Sequence, residues 1–487
     1  MESVLNFLGG LLSSSVTLYI INALLIITVI FNERKAPSAI LAWVMILTFV
    51  PVVGFVFYLV FNQNFSRRKM NKMSEKEEQT MSNALKKQTE IMDANAYEFN
   101  CKSTEKWKHL IKLNQTYGKS YYTQNNNIEL FTDGSDMLES LLKDIKAAKE
   151  TINIEYYIIK RDKIGRRFIE ALTEKAKEGV EVRLLMDALG SRTITKGIVK
   201  DLIAAGGKVG YFFKPKLIFI GLKLNYRNHR KIVVIDHKTA YTGGYNIAKE
   251  YVGQKKKLGY WRDTHVKIDG DAVHDLNSRF IMDWRFATKE RVEGVLPETT
   301  GSSPKGVGMQ IVSCGPEEPK EEVKRGFMRM ITYAEKNVYV QTPYFVPDQS
   351  IVESLKMAAQ SGVDVRIMIP CMPDHMFVYW ATYSYVGELL RSGARVFIYD
   401  NGFLHSKTLV VDGEVASVGS TNFDNRSFRL NFETNAFVFD SEFALKMEET
   451  FRRDMANGHE LTLEQYNKRS VKIRIKEAIS RLLADIL

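Results

Sequence analysis

Two stretches of this chain set a histidine, a lysine and an aspartate at one spacing: Asn228-His229-Arg230-Lys231-Ile232-Val233-Val234-Ile235-Asp236 and Leu404-His405-Ser406-Lys407-Thr408-Leu409-Val410-Val411-Asp412. Both read His-x-Lys-x-x-x-x-Asp. Each His is followed at the same offset by an Asn, Asn246 after Gly243-Gly244-Tyr245 and Asn422 after Gly419-Ser420-Thr421. The apolar run inside the first copy suits a buried strand. Side chains alternate faces along a strand, so His and Lys, two apart, project from one side. The Asp that closes each motif points to the other side and reads as its structural anchor. One face of each copy therefore offers a proton-transferring nucleophile beside a fixed cation, which is equipment for a phosphate. The chain holds only 8 His. Two copies with matching Asn residues make coincidence a poor explanation.

A single His–Lys strand is half of a phosphoryl-transfer site. Bringing two halves together sets two His on opposite sides of one phosphorus, one to attack and one to protonate the leaving alkoxide. Lys231, Lys407, Asn246 and Asn422 then hold the non-bridging oxygens and stabilise charge in the five-coordinate state. This chemistry needs no metal or other cofactor, and no carboxylate or His cluster has metal-ligand spacing. Each His needs an acceptor on its other ring nitrogen to fix its tautomer. Asp263 in Trp261-Arg262-Asp263-Thr264-His265 and Glu433 in Asn431-Phe432-Glu433-Thr434 lie at comparable places after the two motifs and are the candidates. A surface-strand role is the alternative for either.

At these motifs the chain resembles the phospholipase D superfamily, and more closely its bacterial cardiolipin synthase branch. Tyr260-Trp261-Arg262-Asp263-Thr264-His265, Gln341-Thr342-Pro343-Tyr344-Phe345-Val346-Pro347, Pro373-Asp374-His375 and Phe423-Asp424-Asn425-Arg426-Ser427-Phe428 are all similar to that branch. The resemblance covers nearly the whole chain. It implies a phosphatidyl-histidine intermediate: one His attacks phosphatidylglycerol, glycerol leaves, and a second phosphatidylglycerol resolves the intermediate to cardiolipin. It also implies a site of two His, two Lys and two Asn, with Asp263 and Glu433 as supports. The first copy departs in carrying Gly244 where the second has Ser420, so a backbone amide serves the phosphate there and a hydroxyl contact is lost.

The elements that must position these residues form a repeating α/β grammar from about residue 128. Thr151-Ile152-Asn153-Ile154-Glu155-Tyr156-Tyr157 reads as a strand, Arg166–Glu178 as a helix, and Gly179-Val180-Glu181-Val182-Arg183 opens the next strand. The second half repeats the order with Asn337-Val338-Tyr339-Val340-Gln341-Thr342, a helix near Gln349–Ser361, and Gly362-Val363-Asp364-Val365-Arg366. A later echo sets Phe280-Ile281-Met282-Asp283 against Phe451-Arg452-Arg453-Asp454. The chain carries an internal duplication, and strands alternating with helices imply sheets under helical cover. The expected fold class is α/β: two duplicated phospholipase D-type halves, residues 116–295 and 305–460, forming one pseudo-symmetric catalytic unit. The breaker-rich stretch Val292–Gly308 marks the seam between them.

No charged residue lies between Glu2 and Glu33, or between Lys35 and Arg67. Each gap holds the roughly 20 apolar residues that cross a bilayer. The expectation is a transmembrane hairpin over residues 1–65, with spans at about 12–31 and 40–61. Arg67, Arg68, Lys69 and Lys72 follow the second span, which directs the catalytic bulk to the cytoplasm. The resulting localisation is a multi-pass protein of the bacterial cell membrane. Residues 66–115 read as a charged, solvated helical connector, with Trp107 as a candidate interfacial residue. Residues 461–487 read as a basic amphipathic helix, apolar at Val471, Ile475, Ala478, Ile479, Leu482, Leu483 and Ile486, for membrane or core. The stretch Phe212–Ile220 mixes basic and apolar residues and is a candidate lipid contact.

The net charge of +11 favours anionic partners. By the resemblance these are phosphatidylglycerol as substrate and cardiolipin as product, in the membrane. Three widely spaced cysteines form neither a disulfide framework nor a zinc pattern. A nuclease would share the His–Lys pairs, but the apolar stretches and the lack of a nucleic-acid-binding module argue against nucleic acid. A hydrolase releasing phosphatidic acid is the nearer rival, because the acceptor decides which nucleophile enters. A non-catalytic membrane organiser is disfavoured, since both half-sites keep His, Lys and Asn.

Overall fold

The alternation of strand and helix is realised, in the computed structural model, as two mixed sheets of matching order. The structure describes residues 15–32, 37–50, 54–55, 58, 73–213, 226–293, 306–316 and 320–482. Residues 67–214 and 226–481 form one compact unit, and residues 1–66, 215–225 and 482–487 form a second.

Strands β1 (Asn126–Phe131), β2 (Thr151–Tyr156), β3 (Glu181–Asp187), β4 (Lys208–Phe212), β5 (Ile232–Ile235), β6 (Thr239–Gly243) and β8 (His265–Gly270) build the first sheet, in the order β1-β8-β6-β5-β2-β3-β4. A short strand β7 (Trp261–Arg262) stands apart from it, as do β11 (Phe345–Val346) and β17 (Phe423–Asp424), which pair in parallel with each other. The second sheet comprises β9 (Gly308–Cys314), β10 (Asn337–Gln341), β12 (Asp364–Pro370), β13 (Arg395–Tyr399), β15 (Thr408–Val411), β16 (Val415–Gly419), β18 (Glu433–Phe439) and β19 (Gly458–Leu461). Its order is β9-β18-β16-β15-β10-β12-β13-β19, the first order repeated strand for strand with β19 added. In each sheet three neighbours run parallel, β2-β3-β4 and β10-β12-β13, and the remaining pairs run antiparallel. The duplication therefore extends to topology and register.

Central strands covered on both faces need continuous apolar runs. β5, with Ile-Val-Val-Ile, is buried throughout, as is the Thr-Leu-Val-Val of β15. Helix Lys163–Lys177 starts where Asp162 accepts the N–H groups of Ile164 and Gly165, both at 3.0 Å. It ends before Gly179, whose φ of 89° matches the 92° of Gly362 in the second half. A left-handed residue just past a helix end favours glycine, which accounts for the Gly that opens both Gly-Val-x-Val-Arg phrases.

The stretch read as a solvated connector packs onto this unit. Helix Glu75–Asp93 opens with a Ser74/Glu77 capping box, and the Glu77 carboxylate also pairs with Arg285 at 2.8 Å. Gln88 Nε2 donates to the Tyr122 carbonyl at 2.8 Å. Trp107, a candidate for the membrane interface, is buried instead and donates Nε1–H to Glu414 at 3.0 Å. Charged residues had masked a face that pairs internally. Residues 66–72 and 294–305, the start of the connector and most of the seam, lie outside the described residues, as do 214–220 of the candidate lipid contact.

In the other unit, helices Ser15–Asn32 and Pro37–Phe49 pack through Val29, Trp43 and Leu47. At 1.5 Å per residue their 18 and 13 residues extend about 27 and 20 Å, against roughly 30 Å of hydrocarbon. Among the described residues no helix is long and apolar enough to cross a membrane. The expected spans are not reproduced at full length. Residues 12–14, 51–53, 56–57 and 59–61 of those spans fall outside the described set, as do Arg67, Arg68, Lys69 and Lys72.

Candidate active site

Each motif histidine sits just before the first residue of its central strand pair, β5 or β15, where the chain leaves one half and meets the other. Strand β14 (Phe403–Leu404) pairs in parallel with β7, Trp261 opposite Phe403 and Arg262 opposite Leu404. A bridge between Asn228 and Phe432 does the same on the other side. These two seams continue into the histidines. His405 donates its backbone N–H to the Arg262 carbonyl at 2.7 Å, and His229 donates to the Phe432 carbonyl at 2.9 Å.

The next residue in each seam is the candidate carboxylate, and the pairing is crossed between halves. His229 Nδ1 lies 3.1 Å from Glu433 Oε2, and His405 Nδ1 lies 2.5 Å from Asp263 Oδ2. An ionised carboxylate only accepts, so Nδ1 carries the proton and Nε2 presents its lone pair. Burial pushes the Asp263 carboxyl up, but Lys407 and His405 outweigh it and hold the group below its ordinary range. Glu433 is held down in the same way by His229 and Lys231 against its burial. Both imidazoles are lowered chiefly by burial, His405 to about 4 with Lys407 adding to the effect. Both rings are therefore neutral at neutral pH.

The lysines take matching positions. Lys231 Nζ donates to the His229 carbonyl at 2.6 Å and lies 5.6 Å from the Tyr157 ring centroid. Lys407 Nζ donates to the His405 carbonyl and lies 2.9 Å from His405 Nδ1. Burial lowers Lys231 to about 7 and Lys407 to about 8. Each lysine feels the other half's carboxylate, and each histidine feels both lysines or their field, so six groups share one buried cluster. Asn246 and Asn422 are buried beside it. Asn246 Oδ1 accepts the Ile158 N–H at 3.1 Å, and Asn422 Nδ2 donates to Ser427 Oγ at 3.2 Å.

Asp236 and Asp412 stand at the far ends of β5 and β15. Asp236 accepts the backbone N–H groups of Lys149, Glu150 and Thr151 at 2.8, 2.8 and 2.9 Å. Asp412 accepts those of Glu335, Lys336 and Asn337, and the Lys106 ammonium at 2.8 Å. Both residues adopt a left-handed backbone, φ 50° and 57°. Each carboxylate ties the end of its motif strand to the start of the neighbouring strand.

Gly244 and Ser420, expected against the phosphate, are occupied otherwise. The Gly244 amide donates to the Thr264 carbonyl at 2.8 Å, and the Ser420 amide to the Thr434 carbonyl at 3.0 Å. Ser420 Oγ accepts the Thr434 N–H at 3.0 Å, whereas the matching Thr264 N–H goes to Asp263 Oδ1 at 2.8 Å. A Cβ on Gly244 would lie 1.9 Å from that same Asp263 oxygen. Glycine is thus required where the shorter carboxylate folds back onto its own chain. These two residues pack against the segments that carry the carboxylates.

Sequence reasoning missed four contributors. Tyr157 lies against His229 with ring centroids 4.7 Å apart, and Trp261 against His405 at 4.9 Å. Arg230, fully buried, donates to Asp283 at 2.7 Å, to the Glu433 carbonyl at 3.1 Å and to the Cys314 carbonyl at 3.0 Å. Arg262 Nε donates to both Asp454 oxygens at 2.9 Å. The signal was present in the echoed Asp283 and Asp454: each answers a buried arginine that adjoins a site residue in sequence.

This geometry defines a phospholipase D-like fold with one site shared by two half-motifs. The family described as "Cardiolipin synthase, PLD-like domain" matches residues 141–284 and 327–455, and that described as "Phospholipase_D-nuclease N-terminal" matches residues 20–62. The major cardiolipin synthase ClsA of Bacillus subtilis is 48% identical over 471 residues, covering 96% of this chain and 98% of that protein. A cardiolipin synthase of Oceanobacillus iheyensis is 45% identical over 469 residues, again covering 96% and 98%. Among solved structures, phosphatidylserine synthase of Haemophilus influenzae aligns with a TM-score of 0.60 at 13% identity, over 78% of this chain and 100% of that one, a likeness of fold. The chain belongs to the cardiolipin synthase family.

Proposed function

We propose that the clustered residues transfer a phosphatidyl group between two phosphatidylglycerol molecules, giving cardiolipin and glycerol. One imidazole Nε2 attacks the phosphorus of the first lipid, forming a P–N bond as the P–O bond to glycerol breaks. The other histidine takes up a proton from solvent on its Nε2 as the anionic phosphodiester binds, gives that proton to the departing oxygen, then takes a proton from the hydroxyl of the second phosphatidylglycerol. That hydroxyl oxygen attacks phosphorus and the P–N bond breaks, restoring both histidines. Lys231 and Lys407 hold the non-bridging oxygens as charge builds on them, and a bound phosphodiester restores the ammonium form that burial disfavours. Asn246 and Asn422 support the same oxygens, while Asp263 and Glu433 keep each proton on Nδ1. The carrying observation is the crossed pair of His–carboxylate contacts, which arms two imidazoles around one place.

The reading extends to the membrane. The apolar stretches at about 12–31 and 40–61 form the hairpin of residues 1–65, and the basic cluster Arg67, Arg68, Lys69 and Lys72 keeps the catalytic halves, 116–295 and 305–460, on the cytoplasmic side. The support is the charge-free length of each stretch.

The test is product analysis of purified protein in mixed micelles of head-group-labelled and acyl-labelled phosphatidylglycerol. Cardiolipin and glycerol are expected in equal amounts. Phosphatidic acid as the main product assigns a hydrolase instead, and no turnover returns the chain to a non-catalytic role.

A further inference from the structure

The carboxyl-terminal helix Val471–Leu482 is docked by the wrong face. A helix that closes a fold normally buries its apolar stripe. Here Glu477 and Ser480 are the buried positions, 3% and 2% exposed, while Val471, Ile475 and Ile479 stand 69%, 53% and 51% exposed. The polar side is fastened. Glu477 takes the Arg469 guanidinium at 2.7 and 2.9 Å. Arg481 pairs with Glu388, donates to Ser384 Oγ at 3.4 Å and lies 4.7 Å from the Tyr385 ring centroid, and Lys476 lies 5.0 Å from that of Trp380. The four partners of Arg481 and Lys476 belong to helix Met376–Arg391.

At about 100° per residue, Val471, Ile475 and Ile479 fill one arc of roughly 80°, and Glu477 and Ser480 lie across the axis from it. Lys472 borders that arc on one side and Arg474 on the other, both exposed. We propose that this helix is a lipid-resting face of the protein: the aliphatic arc enters the headgroup boundary of an anionic bilayer, with Lys472 and Arg474 against its phosphates. An apolar arc edged by cations is the pattern of a helix lying in a membrane surface. A second copy of the chain would also cover the arc, but the two cationic borders would then meet like charge. Anionic lipid answers both the arc and its borders.

The arc is also joined to the site. The helix beneath it begins one residue after His375, with Met376 and Phe377 exposed by 53% and 55%. Just before it, Asp374 accepts from the Tyr344 hydroxyl, and its charge reaches Lys407. The docked pair of helices thus runs from the lipid-facing arc to the Lys407 side of the cluster, a path by which an anionic lipid approaches. Only the approach of a substrate lipid along this path rests on the phosphatidyl-transfer reading.

The full chain is reconstituted into vesicles carrying brominated acyl chains, as wild type and as Ile475→Trp or Ile479→Trp. The indole added by each variant is expected to lose at least half its emission in phosphatidylglycerol vesicles and far less in phosphatidylcholine vesicles. Equal quenching in both overturns the charge selectivity, and no quenching in either overturns the proposal. Emission that instead shifts with protein concentration assigns the face to a second copy and also overturns it. The Ile475→Ser/Ile479→Ser variant leaves the docked polar face intact, and its interfacial KM is expected to rise at least tenfold with kcat unchanged. Cardiolipin formation is followed in the same vesicles: quenching without turnover counts against the reaction and not against the surface.

Discussion

Replacing Asp263 by Asn keeps shape and burial while removing one charge and one acceptor from the His405 contact. Asp263 is 0% exposed and spends Oδ1 on the Thr264 N–H and Oδ2 on His405 Nδ1. An asparagine has one oxygen for these two donors. If its oxygen stays on Thr264, its NH2 faces Nδ1 and drives the His405 proton to Nε2, the atom that must carry a lone pair. A wrong tautomer of this kind costs about 10⁴ in rate, or roughly 5 kcal/mol. If the amide turns over, His405 keeps its tautomer and the buried Thr264 N–H is left facing a donor, which costs about 1–3 kcal/mol. The first arrangement leaves no donor unpaired and is the resting one, and turnover runs through the second, which is reached at a smaller cost than the wrong tautomer imposes. To its cost is added the loss of the negative charge that supports the imidazolium and Lys407. Together these set an expected fall in kcat of about 10²–10³, with the thermal unfolding midpoint little changed. The assay is release of labelled glycerol from phosphatidylglycerol across a pH series. Because the carboxylate raises His405 against its burial, the acid limb of kcat/KM near pH 4 should move to lower pH in the variant. A variant within threefold of wild type, or an acid limb that stays in place, refutes the crossed assignment.

Three further outcomes follow from the same geometry. Gly244→Ser, which copies the residue of the second half, is expected to fall at least tenfold in kcat, because its Cβ would displace the Asp263 oxygen; steady-state kinetics of the folded variant check it. Asp236→Asn turns an NH2 toward the Lys149 or Glu150 N–H, so about 1–3 kcal/mol of stability is lost in urea melts while kcat per folded molecule stays within about twofold. In wild type, kcat/KM should be bounded by His405, neutral above about 4, and by Lys231, charged below about 7. The alkaline limb should move upward in kcat, where bound phosphodiester holds the ammonium charged.

The two motif copies and the repeated phrases around them made the two half-sites and the duplicated sheets legible, although His229, Lys231, His405 and Lys407 stand just ahead of β5 and β15 rather than on them. What joins them was not legible. Asp263 is 142 residues from its histidine and Glu433 is 204 from its own, and nothing near either carboxylate says which ring it serves. The internal partners of Ser420 and Gly244 were not legible for a related reason: a hydroxyl and an amide beside a phosphate motif look unengaged until the tertiary structure shows the Thr434 and Thr264 backbone groups that meet them. The carboxyl-terminal helix illustrates a third limit. Periodicity finds its apolar arc but not the side on which it is fastened, and here the fastened side is polar. Charge density hid the packing of the 75–93 helix, since ion pairs such as Glu77–Arg285 read as solvent-facing in sequence.

The exchange of carboxylates between halves has a consequence for how such a chain arises. Neither half alone holds an imidazole together with the carboxylate at its Nδ1, since each histidine meets the carboxylate of the other half. A single-length ancestor would therefore have acted only as a symmetric pair, with one gene spelling both sides of the site. Fusion into one chain released that constraint. Asp263 beside Gly244 and Glu433 beside Ser420 are two separate solutions to one problem, a divergence open to a protein whose halves no longer share a gene copy and can settle into unequal duties.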